Sequence, residues 1–132
     1  MNGEGLEINN AEVVAELTAA FRRYDPALLA NDVETLNELF WDSPHVVRFG
    51  ITENLYGHNS ISSYRRQDTL IGSVPSRTIT KETVTTYGRS FATTNVEYVQ
   101  PKSGRRGRQS QTWMRTAEGW CIVSAHVSFL AE

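Results

Sequence analysis

The chain has little cysteine: Cys121 is the only one, so no disulfide can form within it and its stability has to come from packing. It has little excess charge. Thirteen Lys and Arg against fifteen Asp and Glu leave a net charge of −2, which gives no global attraction to nucleic acid or to an acidic membrane. The one basic cluster, Arg105-Arg106-Gly107-Arg108, has no interleaved aromatic platform and reads as a solvated hairpin end. No apolar run approaches the about 20 residues that span a bilayer. The segment MNGEGLEINNAEVV lacks a basic stretch followed by an apolar one, so no signal peptide is expected and a cytoplasmic protein is the default. There is no Gly-rich phosphate loop, no G-x-S-x-G elbow and no Cys–His pair in a recognisable context. His45, His58 and His126 are scattered, without metal-ligand spacing, so neither a metal nor a cofactor is expected. Any reaction then has to rely on charge stabilisation and proton transfer.

At 132 residues with 39% hydrophobic and 21% charged positions, the chain can build one globular core. Residues 1–9 read as a flexible N-terminal arm and 10–132 as a single domain. Asn10 can cap a helix from Ala11, whose stripe Val13, Leu17, Ala20, Phe21 and Tyr24 returns to one face every three or four residues. Asp25-Pro26 restarts the chain, with Asp25 as cap of a short helix Ala27–Ala30. Asn31 with Glu34 predicts a third helix. The pattern then changes: His45–Ile51 reads as a strand, Thr52-Glu53-Asn54 as a turn, Leu55–Gly57 as the return, and Asn59 as the cap of a helix reaching about Gln67. A loop is expected over 69–76. Strands follow over Arg77–Tyr87, Ser90–Gln100, Arg106–Thr116 and Trp120–Leu130. The order predicts an α+β fold, a curved antiparallel sheet covered on one face by N-terminal helices, with a pocket between the layers.

Arg48 is the first candidate for that pocket. Alternation in VVRFG puts Val46, Arg48 and Gly50 on one face and Val47, Phe49 and Ile51 on the other. Arg48 is a solvated strand residue, or is paired with a structural Glu, or lines the concave interior, where a guanidinium needs an anionic partner such as a ligand carboxylate. Tyr24, at the end of the first apolar stripe, is a core tyrosine or a proton donor at the cavity mouth. His126 would share a face of the last strand with Ile122, Ser124 and Ser128. Tyr64 should face inward, and Arg65 or Arg66 could reach the cavity of Arg48. Trp41 and Asn54, near the strand entrance and the hairpin tip, either contact a ligand or finish the core.

Several separated segments carry a resemblance: RFGITENLYG (Arg48–Gly57), SYRR (Ser63–Arg66), TTYGRSFA (Thr85–Ala92), GRQSQTW (Gly107–Trp113) and GWCIVSAHVS (Gly119–Ser128). Together with the element order they resemble the AtzH-like family of the nuclear transport factor 2-like superfamily, which also holds SnoaL-like cyclases and ketosteroid isomerases. The resemblance implies a cone-shaped fold, commonly dimerised through the outer sheet face. It implies a small anionic ureide as substrate, and an amidase partner is possible. It further implies, in cyanuric acid catabolism, conversion of 1,3-dicarboxyurea to allophanate by a decarboxylating amidohydrolase. Within it Arg48 of the RFG motif and Tyr24 of AAFRRY are the catalytic pair, while Trp41, Asn54, Tyr64, Arg65 and His126 are the substrate contacts expected from their places along the chain. The Asp base of ketosteroid isomerases has no counterpart that the sequence places in the cavity. A non-catalytic small-acid-binding or accessory subunit of an amidase is the alternative, and an isomerase or cyclase of apolar substrates is disfavoured by Arg48 and Arg65.

Overall fold

The computed structural model describes residues 5–71 and 76–131. The Asn10 side chain opens α1 (Ala11–Phe21) by accepting from the Glu12 and Val13 amides at 3.1 and 3.2 Å, which satisfies donors that a helix start leaves open. Val13, Leu17 and Phe21 form its buried stripe. Tyr24 does not extend that stripe: it is the first residue of α2 (Tyr24–Ala30). Asp25, expected as a cap, lies inside the first turn, and its carboxylate accepts from Arg77 instead. Asn31, expected to open the next helix with Glu34, closes α2 in the left-handed conformation at φ 56°, a role that Asn tolerates. Asp32 caps α3 (Val33–Leu39) in its place, accepting from the Thr35 amide at 3.2 Å and the Thr35 hydroxyl at 2.7 Å.

A short hairpin, β1 (Val47–Phe49) and β2 (Asn54–Tyr56), precedes α4 (His58–Ile71). This helix passes Gln67, so residues 69–71 of the expected loop are helical, and 72–75 lie outside the described residues. Then β3 (Thr78–Tyr87), β4 (Phe91–Val99), β5 (Arg106–Thr116) and β6 (Gly119–Phe129) run as an antiparallel meander. The sheet order is β2-β1-β6-β5-β4-β3. One pairing departs from the expected antiparallel pattern: β1 lies parallel to β6, where the last strand meets the early hairpin. Of the expected arm, Glu7 and Asn9 are tied to the far end of β3. Asn9 donates to the Thr86 carbonyl at 3.0 Å and its side chain accepts from the Thr86 amide at 2.9 Å, while the Gly88 amide donates to the Glu7 carbonyl.

The core lies between the helices and the concave sheet face, where Leu17, Leu36, Phe40, Ile61, Trp113 and Ile122 are essentially inaccessible. A bulge decides which residues reach it. In β5–β6, Thr112 faces Ser124 and Trp113 faces Ile122, which leaves Val123 as an extra residue. One inserted residue exchanges the faces of a strand. Ile122 therefore points inward before the bulge, and Ala125, Val127 and Phe129 point inward after it, while His126 is turned outward and exposed.

Candidate functional site

Register builds a floor on the concave face in rows across the sheet. One row runs Arg48, Ala125, Gln111, Thr94; the next runs Val127, Gln109, Val96; a third runs Phe129, Gly107, Tyr98. Above them sit Tyr24 and Leu28 of α2 and Tyr64 and Arg65 of α4. The hairpin residues Ile51, Thr52 and Glu53, together with Arg77 just before β3, close the sides of a cavity of about 190 Å³. That is below the roughly 300–1,000 Å³ of pockets for drug-sized ligands, so the cavity suits a small molecule.

Arg48 enters this cavity from β1 because strand alternation sends it inward and Val47 and Phe49 outward. It has an internal carboxylate: Nη1 donates to Glu53 Oε2 at 2.7 Å, and both side chains are mostly covered, 11% and 16% exposed. The Glu53 carboxylate rests on Gly50, where any Cβ would overlap it, and is further held by the Thr52 amide and hydroxyl at 3.2 and 2.8 Å. Burial alone would raise the Glu53 carboxyl, but the hydrogen bonds from Thr52 and Arg48 and the Arg48 charge hold it below its ordinary value. Burial would likewise weaken the charge on Arg48, yet Tyr24, Glu53 and Tyr64 keep its pKa above the usual guanidinium value. The guanidinium also lies 6.0 Å from the Tyr64 ring centroid.

Arg77 is the second buried cation, with a side chain only 6% exposed. Its Nε and Nη2 both donate to Asp25 Oδ1, at 2.9 and 2.6 Å, and it lies 4.7 Å from the Tyr98 ring centroid. Tyr98 in turn lies over Gly107, which has no Cβ to oppose it. Arg65 is the third, buried on α4 and 5.1 Å from the Phe40 ring. Tyr24 is buried where these three converge. Burial by itself raises the pKa of a phenol, but the charges of Arg65, Arg48 and Arg77 and a hydrogen bond with Arg65 outweigh it, so the Tyr24 hydroxyl is a stronger acid than a free tyrosine. The arrangement can hold an anion, give a proton at Tyr24, and stabilise the phenolate left behind.

Tyr24, Arg48, Tyr64 and Arg65 thus line one cavity, and three expected contacts lie elsewhere. His126 is on the outer face, edge-on to Phe49 at 5.8 Å, because the bulge at Val123 reverses its parity. Asn54 starts the edge strand β2 and is exposed. Trp41 follows α3 and lines a different groove with Trp120 and Cys121. Sequence reasoning missed Glu53, Arg77 and Gln109, which lie far apart in the chain and had no motif to join them. Glu53 alone left a trace, five residues from Arg48 on the same hairpin. No group of three or more His, Cys, Asp or Glu among the described residues is placed to hold a metal, and no helix among them is long and apolar enough to cross a membrane.

A helix-covered, curved and unclosed sheet with its cavity between the layers is the nuclear transport factor 2-like fold. An NTF2-like protein of unknown function from Pseudomonas putida shares it, at 14% identity over 93% of this chain and 90% of that one, with a TM-score of 0.80. The AtzH-like family model matches residues 6–132, and the chain belongs to that family. Two solved structures are much more similar in sequence. A protein of unknown function from Pectobacterium atrosepticum is 44% identical, covering 94% of this chain and 95% of that one, with a TM-score of 0.88. A cystatin-like fold protein from Burkholderia xenovorans is 43% identical over 97% and 99%, with a TM-score of 0.89. No curated protein matches the chain.

Proposed function

We propose that the chain is a decarboxylating amidohydrolase of a small dicarboxylated urea, converting 1,3-dicarboxyurea to allophanate in cyanuric acid catabolism. The observation that carries this reading is Tyr24, a buried phenol made more acidic by three guanidinia where it lines a small cavity. Arg48 holds the carboxylate that stays with the product. It does not serve the one that leaves, because a cation that stabilises a departing carboxylate opposes the loss of its charge. Tyr24 gives its proton to the nitrogen bearing the leaving carboxyl. The C–N bond breaks, its electron pair stays on nitrogen, and carbon dioxide departs. The phenolate, facing Arg65, Arg48 and Arg77, recovers a proton from water. No nucleophile and no metal enters this sequence of steps. The reading carries with it a homodimer through the outer sheet face, where Tyr56 and Phe91 are exposed.

The test is turnover of freshly prepared 1,3-dicarboxyurea by the purified chain, followed as carbon dioxide and allophanate. Tyr24→Phe and Arg48→Ala should each lower the rate at least about tenfold, roughly 1.4 kcal/mol of barrier. Folded variants that both run at the wild-type rate would sink the assignment. A wild-type chain inert alone but active with an amidase added would make it an accessory subunit.

A further inference from the structure

The cavity floor holds a polar side chain that the reaction above does not use. Gln109 comes from the middle of β5, between Val127 of β6 and Val96 of β4, and is 5% exposed. It lines the cavity with Tyr24, Arg48 and Arg77. A carboxamide brings two donors and one acceptor, yet no described residue hydrogen-bonds that of Gln109. Its polar atoms are not sealed in the packing either: Gln111, two residues on and on the same face, has a fully enclosed Nε2 without a partner, whereas no atom of Gln109 is so enclosed. The amide is therefore covered by the fold but open to the space it lines with Tyr24 and Arg77, which this cavity shares with an adjoining opening of about 460 Å³. Burying an amide without a partner forfeits its hydration, and native structures rarely leave such a group unpaired.

The residue type is informative. A Glu here would set a carboxylate beside Arg48 and Arg77 and spend their field on the protein itself, as Glu53 and Asp25 already do in part. A Leu would fit the flanking Val127 and Val96 at no polar cost. A neutral amide preserves the positive field and adds a paired donor and acceptor. Such a group matches the adjacent C=O and N–H of a ureide. We infer that Gln109 is the specificity residue that reads the ureide core of the ligand, pairing its carboxamide with the ligand's C=O and N–H while the arginines take carboxylate. This rests on the reading above for the substrate class and adds what separates a ureide from an ordinary carboxylic acid of the same shape.

Two stable acids test it without any turnover. N-carbamoylglycine and 4-oxopentanoate share one heavy-atom skeleton and one carboxylate, and differ in having nitrogen or carbon on either side of the carbonyl. Calorimetric titration of the wild-type chain should show N-carbamoylglycine bound about tenfold or more tighter, since a site built to pair a polar group rejects the analogue lacking it. In Gln109→Leu, checked for folding by circular dichroism, that preference should collapse while 4-oxopentanoate binding is kept. In Gln109→Glu both acids should bind more weakly, from the added negative charge. A preference that survives in Gln109→Leu overturns the inference, and so does a wild-type chain that binds the two acids equally or binds neither. Discrimination with no turnover of dicarboxyurea would leave Gln109 as the ureide reader and remove the hydrolase. Turnover without discrimination would do the reverse.

Discussion

Two openings lie toward opposite ends of β6, and they differ in the opposite sense from their size. The larger, about 900 Å³, lies beside the β5–β6 turn and carries Glu34, Glu38, Asp42 and Glu118 with Trp41 and Trp120. The smaller, about 190 Å³, holds Tyr24, Arg48, Arg65 and Arg77. In the large groove the Arg23–Glu38 pair is 2.9 Å long with both side chains more than half exposed, so water screens it. In the small cavity the Arg48–Glu53 and Arg77–Asp25 pairs are mostly covered, and their charges reach Tyr24. Charge acts on chemistry where water is excluded, and volume alone does not provide that.

The contrast predicts unequal costs for cutting the pairs. Asp25→Ala would leave the buried Arg77 guanidinium without its carboxylate and should destabilise the fold by about 3 kcal/mol in urea unfolding. Glu38→Ala, at the groove, should stay within about 0.5 kcal/mol. Equal losses would mean that the cavity is as wet as the groove. A smaller effect tests how tightly the cavity wall is packed. Gly107→Ala would drive a methyl into the Tyr98 ring, which is buried against Arg77, and should cost about 2 kcal/mol in the same assay. At the groove, nothing lies within 4 Å of a Cβ built on Gly119, so crowding makes no such contribution there.

The sequence carried the layers and lost the details that depend on a single residue. Helical stripes, the hairpin and the four long strands are periodic over many residues, so a local exception does not hide them. Helix starts were less legible: Asn31 and Asp32 are adjacent and both suit a cap, and only the left-handed turn at Asn31 hands the role to Asp32. The bulge at Val123 leaves no compositional mark, and missing it put His126 on the wrong face. Within the site, Arg48 was visible through alternation, whereas Tyr24 was reached through a stripe that in the structure ends at Phe21, Tyr24 itself opening α2. Arg77 meets Asp25 across 52 residues, a contact that no local pattern encodes. Gln109 looked like any polar strand residue until the register put it on the concave side.

The smallest effect separates the cavity from the rest of the molecule most directly. The chain has five tyrosines, and the fold pushes the two buried phenols, Tyr24 and Tyr98, in opposite directions. Tyr98 is raised, chiefly by burial, with Arg77 only partly offsetting it. Tyr24 is lowered, because Arg65, Arg48 and Arg77 together overcome its burial. Absorbance near the phenolate band should therefore show one tyrosine ionising below the ordinary value of about 10 as pH rises. Tyr24→Phe should delete that early step, and Arg65→Met should move it upward, because one of the three cations is gone. The same depressed pKa has a stability consequence with a fixed sign. The folded chain releases the Tyr24 proton before the unfolded chain does, so its contribution to stability is complete above about pH 10 and is lost as pH falls through the folded value. An early step that persists in Tyr24→Phe would assign it to another tyrosine and remove the physical basis for placing the proton donor in the smaller opening.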